Sequence, residues 1–315
     1  MSAGPSSITC AISAARLPAS RKSSTPFALA LARVGSFVSS PACPGAAAAF
    51  AAGCTTLIGG IAADTLSAAI LNQDDPALVE SGVPAYLLLV DGLISEHPDN
   101  VALLSAGAQL FSLYGSRFAP PERAITLTAK ARRYGERAIC LAHEPACHWA
   151  DADYTRFVTE LEAVGDKDIG PLYSYAVSWL SQLDATSEDW TAVAELPWVE
   201  AVLERTLALD ETYEEGAVHG YLGILNSLRP PALGGKPDVA REHFERAIEL
   251  SGGRDLSIKV EYARRYARLV FDQELHDRLL MDVLNAPVEA PGKTLFNVLA
   301  KQEAETLLAS SKEYF

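Results

Sequence analysis

One short phrase, written three times, constrains this chain most. The run Val199-Glu-Ala-Val-Leu-Glu-Arg-Thr-Leu-Ala-Leu-Asp210 aligns without gaps on Ala240-Arg-Glu-His-Phe-Glu-Arg-Ala-Ile-Glu-Leu-Ser251, and Glu136-Arg-Ala-Ile-Cys-Leu141 repeats its end. Each copy keeps Glu-Arg, an aliphatic residue two positions after the Arg, and a Leu two beyond that. One type of helix closed by one type of turn, used again and again, is how a helical repeat protein is built. In the copy at 240–251, Ala240, Phe244 and Ala247 fall four and three apart and share a helix face. That spacing suits the second helix of a tetratricopeptide-like pair, whose first helix is predicted over 214–228. There Gly216, Gly220 and Gly223 leave room for a close neighbour.

Punctuation supports the same reading along the chain. Pro237 and Asp238 suit a helix start and Gly252-Gly253 a helix end. His97-Pro98-Asp99-Asn100 marks an earlier boundary, with a helix over 101–118 stopped by Pro120 and Pro121. Further helical periods run over 256–271, 276–284 and 294–310. No stretch alternates strictly enough for a strand. The expected fold is all-α, a tetratricopeptide-like array of helix pairs forming an α-α superhelix; an irregular helical bundle is the alternative.

Residues 1–53 have a different character. They contain Arg16, Arg21, Lys22 and Arg33 and no acidic residue, so the remaining chain has 22 basic against 40 acidic residues, a formal charge of −18. A surface that negative repels phosphate backbones, and no basic stripe offsets it, which argues against nucleic-acid binding. The leader ends in Ala51-Ala52-Gly53-Cys54, like a bacterial lipoprotein signal in which small residues precede the lipidated Cys. Ala51 stands where Leu is usual, and Pro41 and Pro44 interrupt the apolar stretch. A disordered alanine-rich leader is the competing reading. The expected organisation is therefore a leader over 1–53 and one helical domain over 54–315.

If Cys54 begins the mature chain, Cys140 and Cys147 remain. Seven residues apart across Pro145, they have three readings: a disulfide in an oxidising compartment, free thiols, or metal ligands. The metal reading is weak because the spacing with His143 and His148 fits no standard zinc motif. His143-Glu144 lacks the second His of a metalloprotease motif, and Gly292-Lys293-Thr294 lacks the leading Gly of a phosphate loop. Neither a nucleophile elbow nor a dinucleotide fingerprint is present. The expectation is a non-enzyme without cofactor or metal.

All four Trp lie between the first and second copies of the phrase, in an aromatic-rich insertion over 149–198. Tyr175 and Trp179 share a helix face four residues apart. Core packing explains such a cluster; an aromatic-lined cleft for an apolar ligand or a partner's segment is the sharper reading.

Several of these features occur together in one known family. The Cys54 signal, the helix over 172–180, Leu196-Pro197 leading to Leu209-Asp210, Leu233-Gly-Gly235 before the 240–247 run, Ala263-Arg-Arg-Tyr-Ala267, Leu279-Leu280, and Asn297 ahead of 304–308 resemble the TatT component family. These are the periplasmic T subunits of TRAP-type transporters. The resemblance implies an all-helical lipoprotein with tetratricopeptide-like motifs that assembles as a homo-oligomer, a trimer around a pore. It also implies pairing with the substrate-binding P subunit and an apolar or organic-acid ligand passing between the two. On that basis Cys54 is the lipid site and Tyr175, Trp179 and Trp198 are cleft candidates. The expected function is an accessory subunit in solute uptake. The alternative is an envelope scaffold lipoprotein organising an outer-membrane or cell-wall assembly. Thr55, where inner-membrane lipoproteins often carry Asp, points to outer-membrane anchoring.

Overall fold

A computed structural model describes residues 65–315 apart from positions 66 and 188, so the leader and Cys54 lie outside the described residues. After a helical turn over 67–71, twelve helices follow: α1 (Pro76–Glu96), α2 (Val101–Arg117), α3 (Pro121–Ala142), α4 (Tyr154–Leu161), α5 (Ile169–Ala185), α6 (Trp190–Leu209), α7 (Ala217–Ser227), α8 (Pro237–Leu250), α9 (Leu256–Glu261), α10 (Gln273–Asn285), α11 (Thr294–Ala309) and α12 (Ser311–Tyr314). The described residues contain no strand, so the fold is all-α.

Local chemistry sets the helix starts. Asp75, Asn100, Asp153, Asp255 and Asp272 each accept a hydrogen bond from a backbone N–H in the first turn of the helix that follows. Such caps satisfy donors that a helix cannot pair internally, at about 1 kcal/mol each. At α8 the cap position is Lys236 and no side chain caps the helix; Asp238 lies instead in the first turn, where its charge complements the helix dipole. The helix predicted from 214 starts at Ala217, because Glu214, Glu215 and Gly216 hold φ of 51°, 58° and 80°. Gly216 is required there: a Cβ on it would come within 2.7 Å of Leu250.

The three copies of the phrase fall at the C-terminal ends of α3, α6 and α8, and each Arg does the same job. Arg137 donates to the Pro98 carbonyl at 2.6 Å, Arg205 to the Val164 carbonyl at 3.2 Å, and Arg246 to both carboxylate oxygens of Glu211 at 2.8 and 3.0 Å. In every case the acceptor lies in the connection just ahead of the preceding helix of the pair, α2, α5 or α7. The residue after each Arg, Ala138, Thr206 or Ala247, is wholly buried. The repeated phrase thus encodes a helix end that packs inward at one residue and ties down the entrance to its own pair at the one before.

Helices pack on their neighbours around the chain, with α5 lying on both α2 and α3, until α11 returns to contact α1 as well as α9. Leu295 of α11 is buried among Val79, Val83, Phe111 and Tyr114 from the first helices. The Gly292 N–H donates to Asn72 Oδ1 at 2.7 Å across 220 residues of sequence. The circuit is therefore closed.

Residues 256–271 are more complex than one helix. After α9 the chain takes a π-helical turn over Tyr262–Ala267 and ends in a reversal with Asp272 N–H bonded to Ala267 O and Phe271 N–H to Arg268 O. This pairing places Phe271 at the left-handed position, φ 57°, where Gly is usual, although 70% of its surface is exposed. Because a Cβ in that conformation costs about 1–2 kcal/mol, Phe271→Gly is expected to be about 1 kcal/mol more stable in denaturant unfolding than Phe271→Ala, both variants having lost the ring contacts with Tyr314 and Phe315 at 6.1 Å.

Candidate functional site

The aromatic candidates owe their positions to a close helix approach. At Gly135 of α3 the backbone of α5 comes so near that a Cβ would lie 2.9 Å from Tyr175 Cα and 2.4 Å from Ser178 Oγ. Tyr175 and Trp179 stack along α5 with ring centroids 5.2 Å apart, and Trp149 sits 6.0 Å from Tyr175. Phe157 links Trp149, at 5.1 Å, to Trp198, at 4.8 Å. The structure thus brings Tyr175, Trp179 and Trp198 into one aromatic chain. Tyr175 and Trp179 are buried in a core shared with Ile139 upstream and Val199 to Leu225 downstream, so the insertion is built into the main body. Trp198 remains partly accessible. Trp179 Nε1–H donates to Glu195 Oε2 at 2.5 Å, and Arg132, itself 2.7 Å from Glu195, lies 4.5 Å over the Trp179 ring. Burial pushes the Tyr175 hydroxyl well above its ordinary pKa, so it stays protonated.

Cys140 and Cys147 are joined by a disulfide with Cα atoms 4.5 Å apart, bridging the end of α3 to the 3₁₀ turn over Glu144–Asp151. Closing so short a loop is expected to contribute about 2–3 kcal/mol. Denaturant unfolding with and without reductant would read that difference directly.

Open space lies elsewhere, where the circuit closes. A groove of about 400 Å³ runs between the end of α2 and α11, lined by Ser116, Arg117, Leu299, Gln302, Glu303 and Thr306. Arg117, Leu299 and Glu303 also line an adjoining cavity of about 20 Å³, room for a single water, together with Ser257, Glu261, Phe296 and Ala300. Arg264 bridges Glu261 and Glu303, and Arg265 reaches Glu261 at 3.3 Å. The carboxylates on this wall are thereby partnered, while Arg117 supplies a cation at the rim.

Tyr173 stands 5.3 Å from Tyr213 and 6.4 Å from Tyr221, and the Asp255–Lys293 ion pair closes at 3.4 Å. Burial raises the pKa of Tyr221, and the positive charges of Lys293 and Arg117 oppose that rise. Sequence reasoning missed Arg117 and Glu303. No local signal marks them, since they meet only because α11 folds back to the end of α2.

Among the described residues no group of three or more His, Cys, Asp and Glu is arranged to hold a metal ion. Two histidines do touch: His219 Nδ1 and His243 Nδ1 are 2.8 Å apart, with Glu211 3.3 Å from His219 Nε2. Burial lowers the pKa of His243 to about 4, with the His219 charge adding to the effect, and burial lowers that of His219 against the pull of Glu211. Arg246 near His219 works in the same direction, and Glu200 near His243 opposes it. An unfolded His protonates near pH 6.5, so between pH 6.5 and about 4 the unfolded chain binds more protons than the folded one. Stability is therefore full above pH 6.5 and falls as pH drops toward 4. Allowing for solvent around the half-buried ring, the loss is expected to be roughly 1–2 kcal/mol, and His243→Ala should flatten urea-unfolding stability across that window.

With this geometry in view, comparison with known proteins is decisive. The family model of the TRAP transporter T-component matches residues 72–315. The chain belongs to this family. The T-component match covers all twelve helices, including the closing α11 and the groove it forms with α2. A relative is an uncharacterized protein of Treponema pallidum (strain Nichols), 23% identical over 266 residues, covering 77% of this chain and 81% of that protein. Membership in the T-component family makes this chain an accessory transporter component associated with a TRAP complex at the cell envelope. That family is one of transporter accessory components, not of enzymes.

Proposed function

We propose that this T-component is a non-enzymatic subunit that binds the solute-receptor (P) protein of a TRAP transporter and offers its ligand a place to rest. The family match over 72–315 carries the reading. The open groove at Arg117 is consistent with it, setting the Arg117 guanidinium and Leu299 beside the polar side chains of Gln302 and Thr306. Trp198, partly accessible beside the exposed Tyr154 ring at 5.3 Å, is a second contact for an apolar ligand or a partner's segment. Residues 1–53 act as the lipoprotein signal and Cys54 bears the lipid. The domain that follows faces the periplasm, anchored at the outer membrane and self-associated as a trimer.

The test is a mild-crosslinking pull-down of the tagged protein from its own cells, with mass spectrometry of the partners and of the bait's first residue. Recovery of a periplasmic solute receptor together with a lipid-bearing Cys54 supports the proposal. Outer-membrane or cell-wall assembly components in place of a receptor would replace it with the scaffold reading.

A further inference from the structure

The inner face of α1, with Val79, Val83, Leu87, Val90 and Ile94, is buried. On the opposite face Leu78, Gly82, Ala85, Leu89 and Gly92 follow one another at alternating intervals of four and three. That is the spacing by which one helix docks along another. Leu78, Leu88 and Leu89 are 54%, 74% and 53% exposed, with Tyr86 and Ile125 of α3 also exposed. A Cβ at Gly82 or Gly92 would meet nothing within 4 Å. Each glycine inside a solvent-facing helix costs about 1 kcal/mol relative to Ala. A second helix approaching closely would use the space both leave open.

Charge and area select the occupant. The seam carries no charged residue before Glu96, whereas the chain after residue 53 has 22 basic against 40 acidic residues. Two such acidic molecules repel wherever their charged surfaces meet, so an uncharged seam is where copies can approach. The exposed side chains offer apolar surface on the order of 500 Å², a substantial part of the ~800 Å² per partner of a stable interface. A lipid surface fits less well, because α1 contains no Lys or Arg to meet anionic headgroups.

We infer that the outer face of α1 is the surface through which copies of this chain assemble, Leu78, Leu88 and Leu89 of one copy packing over the Gly82–Ala85–Gly92 side of its neighbour. The inference rests on the self-association proposed above and names its face. Sedimentation of the processed full chain at micromolar concentration, beside Leu89→Glu and Gly92→Cys, tests it. The wild type is expected to assemble. Leu89→Glu should weaken assembly at least tenfold while leaving circular dichroism unchanged, and Gly92→Cys should give interchain disulfides on mild oxidation. If the wild type assembles while Leu89→Glu assembles equally and Gly92→Cys forms no interchain bond, the α1 face is wrong and self-association stands. A monomeric wild type overturns both. A monomeric wild type that floats with anionic vesicles, and loses that in Leu89→Glu, assigns the face to lipid instead.

Discussion

Gly135→Val is expected to destabilise the protein by more than about 3 kcal/mol. A Cβ at this position meets backbone as well as side chain: Tyr175 Cα at 2.9 Å and the Ser174 carbonyl at 3.3 Å cannot rotate away as a side chain could. The branched methyl groups of Val would force α3 and α5 apart. Tyr175 and Trp179 ride on α5, so the shift opens the core they share with Trp149 and Phe157. Gly135→Ala should show the same sign and a smaller size, although Ala is the better helix former by about 1 kcal/mol. Equilibrium unfolding followed by Trp fluorescence reads both variants. Equal or greater stability in Gly135→Ala would mean that the two helices are not in contact there.

Asn297→Ala is expected to cost about 3–5 kcal/mol for a different reason. Asn297 is wholly buried on α11. Its Nδ2 donates to the Arg254 and Val288 carbonyls at 2.9 and 3.0 Å, and its Oδ1 accepts from the Leu256 N–H at 2.9 Å. One side chain therefore ties together the start of α9, the loop after α10 and α11. Removing it strands three backbone groups where water does not reach. Asn297→Asp should be nearly as harmful at neutral pH, because a carboxylate would face two carbonyl oxygens with no proton to share.

The legible parts of this fold were those written in local chemistry. The boundary at 97–100, the Gly252-Gly253 ending and the tight packing of Gly216 and Gly223 follow from residue type and spacing alone; a Cβ on Gly223 would lie 2.9 Å from the Phe244 ring, whereas one on Gly220, read the same way, would meet Ile258 at an ordinary 3.7 Å. The repeated Glu-Arg phrase announced repeated helices, yet the targets of its Arg residues, two carbonyls and one carboxylate, could be seen only in three dimensions. Phe271 was hidden for the opposite reason: the helical period ends there, but a large apolar residue gives no sign of the left-handed conformation that Gly usually takes. The candidate site divides in the same way. Tyr175 and Trp179 were recognisable as one helix face, whereas Arg117 and Glu303 stand 186 positions apart in the sequence and meet because α11 folds back to the first helices.

The most direct measurement of the central claim is a calorimetric titration of the purified, processed chain with the solute-binding receptor encoded beside a membrane permease in the same genome. Saturable binding with a Kd of about 10 μM or tighter is expected. No detectable heat or complex at about 100 μM of each, with or without the receptor's solute, would contradict it.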